Sequence, residues 1–125
     1  INHLFFDLNC LIHPCARGLS NETEIIDKIL DEIDKLIEYT GVKNTVYIAI
    51  DGIAPKMKMK QQRMRRHKSA LERKYNKESS WNTNAISPGT KFMKNLNIHL
   101  RKHILKYKNI RGSVRKRTYV ILFIK

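Results

Sequence analysis

Val46-Tyr47-Ile48-Ala49-Ile50-Asp51-Gly52 decides the fold: five consecutive apolar residues run into a carboxylate and a glycine. Such a run is too short for a helix and has no polar alternation, which predicts a strand buried on both faces. Working back, Gly41 supplies a helix stop. Before it Ile25/Ile26, Ile29/Leu30, Ile33 and Leu36/Ile37 recur at helical spacing, with Asn21 as N-cap and Glu24 three residues on, as in a capping box. Seven of the eleven acids, Glu22 to Glu38, fall mostly opposite that stripe and read as a solvated face. Farther back still, Leu4-Phe5-Phe6 ends on Asp7 and predicts another buried strand, while His13-Pro14 is expected to stop regular structure. Strand, helix, strand is a βαβ unit, whose parallel strands bring their C-terminal ends to one sheet edge. Asp7 and Asp51 then meet there. Open α/β sheets bind ligands at that edge, so two carboxylates form a candidate metal or acid/base site. Asp51-Gly52 is equally a good turn dipeptide, and spacing alone leaves the choice open.

Forward from Gly52 the character changes. From Lys56 to Lys74 nine of nineteen residues are Lys or Arg, with Glu72 the single acid. Met57, Met64 and Leu71 fall seven apart, a narrow apolar seam consistent with a helix docked on the body. At ~100° per residue, Lys58, Gln62, Arg65 and Arg66 share a contiguous sector beside it. Three cations and an amide on one face can hold a phosphate, though a charge run is also what a solvated helix shows. Ser79 to Thr90 reads as a loop, and Ser87-Pro88 as an N-cap followed by proline at the first helical position. Phe92, Leu96, Leu100, Ile104 and Tyr107 predict a helix of roughly twenty residues. His99 and His103 lie four apart on it without a third ligand and are expected to be exposed or interfacial. A basic linker from Lys108 to Arg117 leads to a third apolar strand, Thr118 to Ile124.

The whole chain is 125 residues, enough for one domain and too short for two cores. Its formal net charge is +14, and the sign is uneven: residues 1–51 carry 4 basic and 9 acidic side chains, residues 52–125 carry 21 and 2. That excess points to a polyanionic partner. No apolar run approaches the ~20 residues of a membrane-spanning helix, and no signal peptide is legible at the N-terminus. The expectation is a soluble intracellular protein without membrane contact, in the nucleus or the cytoplasm. Cys10 and Cys15, with His13 between them, are too few for a structural zinc site and read as free thiols.

Three blocks carry a resemblance. Phe6-Asp7-Leu8-Asn9-Cys10-Leu11-Ile12-His13-Pro14-Cys15 is the first, and the second spans Ala49 to Arg66, with Asp51-Gly52-Ile53-Ala54-Pro55 and Gln61-Gln62-Arg63-Met64-Arg65-Arg66. The third is Asn84-Ala85-Ile86-Ser87-Pro88-Gly89-Thr90-Lys91-Phe92-Met93. In this order they resemble the N-terminal nuclease region of the Xrn family of 5′-to-3′ exoribonucleases, across nearly the whole chain. The resemblance implies a PIN-like, Rossmann-like α/β nuclease core with a mostly parallel sheet, incomplete at its C-terminal end. It implies processive hydrolysis of single-stranded RNA bearing a 5′-monophosphate, with Mg²⁺ or Mn²⁺. By the match Asp7 and Asp51 are metal ligands, Lys58, Gln62, Arg65 and Arg66 grip the 5′-phosphate, and His13 stacks on the terminal base. Asp7, Asp51, Lys58 and Gln62 are thereby the candidate catalytic set. The chemistry is coherent, since carboxylates hold hard cations and guanidinium forks select a terminal dianionic phosphate.

The chain also departs from the family. A Ser-Asp followed by Pro-Gly-Glu-Gly-Glu-His-Lys, and farther on an Asp-x-Asp, supply most of the family's metal ligands, whereas here Ile121-Leu122 runs into Phe123-Ile124-Lys125. Residues 1–125 therefore read as a partial exonuclease domain with an incompletely ligated metal, the remainder of the nuclease being its expected partner. Alone it is expected to show no appreciable nuclease activity. Two alternatives stand beside this: a catalytically inactive nucleic-acid-binding module that keeps the phosphate pocket, and a flap-endonuclease-type DNA nuclease. The Gln-Gln-Arg-x-Arg-Arg block argues against the second.

Overall fold

The computed structural model describes residues 1–52, 54–76, 81–108 and 119–124, with 108 and 119–124 as backbone alone. The basic linker expected after Lys108 lies outside them. Strand β1 (His3–Asp7) is followed by helices α1 (Asn9–Ala16) and α2 (Glu22–Thr40), then strand β2 (Thr45–Ile50). Helix α3 (Lys56–Asn76), a 3₁₀ turn at Thr83–Ala85, helix α4 (Lys91–Lys108) and strand β3 (Tyr119–Ile124) complete the order. The three strands form one parallel sheet in the order β1-β2-β3, with Phe6 opposite Ile48 and Ile48 opposite Leu122.

That order explains the layering. Both crossovers step across the sheet in the same direction, and right-handed connections doing so lie on the same face. Accordingly α2 and α4 pack together: Val46 and Ile48 share one core with Ile25, Ile29 and Ile33 of α2 and Phe92, Leu96 and Leu100 of α4. The opposite face lacks a helical cover among the described residues. Phe5 is 67% exposed there, its ring 5.6 Å from that of Tyr47. The expectation of strands buried on both faces is thus corrected for β1: among the described residues both crossover helices lie on one face, and Phe5 on the other is exposed.

Helix ends follow local chemistry. Asn21 caps α2 by accepting the Thr23 N–H at 3.0 Å, and Gly41 ends it in the left-handed region, φ 54°. Two boundaries differ from expectation. Helix α1 runs through His13-Pro14 instead of stopping there; proline forfeits the bond that its own N–H would make to the Cys10 carbonyl and crowds that carbonyl, a cost set against the burial of Ile12 and Cys15 on either side of it. Helix α4 begins at Lys91, not at Pro88. Gly89, at φ 82°, turns the chain first, and Thr90 caps the helix by accepting the Met93 N–H at 3.3 Å.

Helix α3 is the larger correction. None of its residues is buried, and the Met57/Met64/Leu71 seam expected to dock on the body is exposed, Met57 by 90%. At ~100° per residue the seam lies roughly opposite the partly covered side formed by Met59, Gln62, Ser69 and Arg73. The polar face turns inward and carries the seam out.

A cation-lined cavity at the strand ends

The C-terminal ends of β1 and β2 are tied together. Leu8, fully buried, donates its N–H to the Ala49 carbonyl at 2.8 Å, just past the point where Asp7 lies opposite Ala49. The Asp7 carboxylate accepts the Asn9 N–H at 2.9 Å, satisfying one of the free donors at the start of α1. Asp51 follows β2 by one residue and is exposed. Residues four apart share a helix face, so α1 presents Asn9 and His13 together.

Helix α3 forms the second wall and the segment from Thr83 to Pro88 the third. Arg73 joins these two walls by donating to Asn82 Oδ1 at 2.8 Å. The loop is stiffened from within: Ser87 Oγ donates to the Asn84 carbonyl at 2.9 Å, and the Thr90 hydroxyl lies 2.5 Å from the Ala85 carbonyl. Trp81 packs edge-on against the buried Phe92, ring centroids 4.7 Å apart, holding the loop to α4.

Between the walls lies an open cavity of about 450 Å³. His13, Asp51, Lys58, Gln62, Arg65 and Arg66 all line it, so the structure brings together six of the seven residues singled out in the sequence. Asp7 is the exception: it stands at the neighbouring strand end and is not part of the lining. Asn9, Ser69, Thr83 and Asn84 line the cavity too, and sequence reasoning assigned them nothing. Asn9 was findable from its i,i+4 relation to His13 once α1 was known to continue past Pro14.

The cavity is strongly positive. Lys58, Arg65 and Arg66 make no ion pair among the described residues, and Asp51 is the one carboxylate in the lining. Its geometry suits an anion carrying several acceptor oxygens, which guanidinium forks and an amide N–H₂ can meet at once. Asp7 and Asp51 are hard oxygen donors of the kind Mg²⁺ takes in ones and twos together with substrate phosphates. Among the described residues no group of three or more His, Cys, Asp or Glu is placed to cage a metal. Asp7 and Asp51 by themselves supply the one or two carboxylates that such a cation takes.

The other candidates fall elsewhere. His103 is interfacial, its Nε2 2.9 Å from Asp34 Oδ1, and His99 is exposed with Nδ1 2.8 Å from the Asn95 carbonyl. Cys10 and Cys15 are both free thiols; burial pushes the Cys15 pKa up, away from reactivity. No helix among the described residues is long and apolar enough to cross a membrane.

A parallel sheet with crossover helices and a cation-lined cavity at its strand ends defines an open-sheet α/β domain. The chain belongs to the XRN 5′-3′ exonuclease N-terminus family, which it matches over residues 1–123. It is 33% identical over 122 residues to 5′-3′ exoribonuclease 1 of Saccharomyces cerevisiae, covering 82% of this chain and 8% of that protein. Against 5′-3′ exoribonuclease 2 of Gallus gallus the identity is 32% over 130 residues, covering 82% and 14%. The corresponding protein of Schizosaccharomyces pombe is 29% identical over 136 residues, covering 86% and 14%. The chain thus spans a small part of the length of these relatives.

Proposed function

We propose that this chain is the 5′-end-reading part of a 5′-to-3′ exoribonuclease with a PIN-like core, acting on single-stranded RNA that bears a 5′-monophosphate. The observation that carries the reading is the convergence of His13, Asp51, Lys58, Gln62, Arg65 and Arg66 on one cavity from two helices and a strand end. In this reading Lys58, Gln62, Arg65 and Arg66 hold the terminal phosphate. A dianionic terminal phosphate offers more charge and one more free oxygen than an internal diester, so the grip selects the 5′ end.

The His13 imidazole, exposed at the cavity, supports the terminal base by stacking. Every base has a π-face, so no sequence preference follows. Asp7 and Asp51 would hold Mg²⁺ or Mn²⁺, which when bound activates water and stabilises the leaving oxygen. The protein's own contribution is to place the scissile linkage by fixing the phosphate on one side and the base on the other.

Competition between 5′-phosphorylated and 5′-hydroxyl RNA of the same sequence tests this. The phosphorylated form should bind at least ~10-fold more tightly, as charge-assisted hydrogen bonds of ~1.5–3 kcal/mol imply. Equal affinity would refute the phosphate assignment.

A further inference from the structure

Asn9 lines the cavity, yet its side-chain oxygen is shielded from solvent and meets no hydrogen-bond donor among the described residues. No other buried side-chain oxygen or nitrogen among those residues is left so. An unsatisfied buried carbonyl is costly, which favours turning it to where a donor can reach it. The backbone of Asn9 is pinned by its N–H to Asp7, but the terminal carboxamide torsion is soft, so the oxygen can turn into the cavity.

What would meet it follows from position. Asn9 and His13 stand one turn apart on α1, while the cations stand on α3. A nucleotide with its phosphate on α3 and its base on His13 spans the cavity and leaves its ribose between them. Asn9 lines the same cavity, and an acceptor facing the ribose calls for a donor. A phosphate dianion has none, and base amino groups differ among the four bases. The 2′-hydroxyl is present on every ribonucleotide and absent from every deoxyribonucleotide.

We propose that Asn9 is a specificity-determining residue whose carboxamide oxygen accepts a hydrogen bond from the 2′-hydroxyl of the 5′-terminal nucleotide, favouring RNA over DNA. The assignment rests on the reading of the cavity as a 5′-phosphate nucleotide site. Its partner on the RNA can be deleted without touching the protein, which frees the test from any failure of a variant to fold.

The experiment measures binding of fluorescent ten-nucleotide RNAs by anisotropy, in EDTA and at low salt. The 5′-phosphorylated RNA is compared with the same strand carrying a single 2′-deoxy at nucleotide 1, and each with its 5′-hydroxyl form. Wild-type chain should lose about 3- to 10-fold on the deoxy substitution, the range of one ordinary hydrogen bond. Asn9→Ala should bind both strands alike, at the weaker level, with its 5′-phosphate preference intact. No loss in the wild type, or an equal loss in Asn9→Ala, overturns the proposal. A dependence on Asn9 that appears only with added Mg²⁺ also overturns it, since the residue would then act through the metal. Equal binding of 5′-phosphate and 5′-hydroxyl strands refutes the phosphate pocket instead, and the deoxy comparison still judges Asn9 separately.

Discussion

Asp34, in the middle of α2, and His103, near the end of α4, are 69 residues apart in sequence and 2.9 Å apart in the structure. Lys106 and Tyr107 donate to the same carboxylate, so three groups of the second crossover converge on one residue of the first. This cluster fastens α4, whose other end carries the loop that walls the cavity. Removing it should loosen the fold without touching a cavity residue. Asp34→Ala is expected to cost about 1–2 kcal/mol, since it leaves partly buried donors unpaired at a site still open to solvent. Urea denaturation measures the change, and an unaltered midpoint would refute the role.

The same cluster has a pH signature. Burial alone would raise the Asp34 pKa, but hydrogen bonds from Lys106, Tyr107 and His103 outweigh it and hold the carboxyl below the usual carboxylate range. A depressed folded pKa means stability that is present above the unfolded value, near ~3.9, and lost as pH falls through the folded one. Melting temperature should therefore drop on acidification below about pH 4. In Asp34→Asn that part of the acid loss should be missing, as thermal melts between pH 2.5 and 6 would read out.

The phosphate grip predicts a graded loss. Arg65→Ala and Arg66→Ala should each weaken binding of 5′-phosphorylated RNA by about 10-fold or more, with much smaller effects on 5′-hydroxyl RNA. Each removed cation that contacts phosphate should also lower the slope of log affinity against log salt by about 0.7. Titrations at three salt concentrations separate a direct contact from a loss of fold, because a misfolded variant would lose affinity for both RNAs alike.

His13 should act by its ring face. Replacing it with Ala should cost about 1–3 kcal/mol of RNA affinity, the range of one stacked base, whereas His13→Phe should restore most of it. A requirement for imidazole that Phe cannot meet would show that His13 donates a proton or hydrogen bond instead.

Binding and hydrolysis should separate in this chain. With Asp7 and Asp51 as the strand-end carboxylates among the described residues, the chain is expected to hold 5′-phosphorylated RNA with Mg²⁺ present yet release no nucleotide. Release of mononucleotides, abolished by Asp51→Ala, would overturn that expectation.

The one-sided sheet makes a stability contrast. Leu96, fully buried between α4 and the strands, should cost about 2–5 kcal/mol on truncation to Ala. Phe5→Ser, on the open face, should cost about 1 kcal/mol or less. Comparable losses would mean that the Phe5 face is covered in solution.

Much of this protein was determined by its sequence alone. The apolar runs ending at Asp7 and Asp51, the α2 stripe with Asn21 and Gly41 at its ends, and the spacing of Lys58, Gln62, Arg65 and Arg66 are local signals, legible because backbone periodicity and capping are local physics. Tertiary structure decided the rest. Periodicity reports that α3 has an apolar seam but not where its neighbours lie, and the seam went outward because the cationic face turned to the strand ends. Strand composition cannot tell one covered face from two, since that depends on the lateral order of crossovers. Proline at position 14 looked like a stop because its penalty is local, while the buried Leu8, Ile12 and Cys15 that carry α1 through it earn their place by contacts far along the chain. The i,i+4 spacing of Asn9 and His13 is in the sequence, but only the fold shows that this stretch is helical and that its Asn9–His13 face borders the cavity.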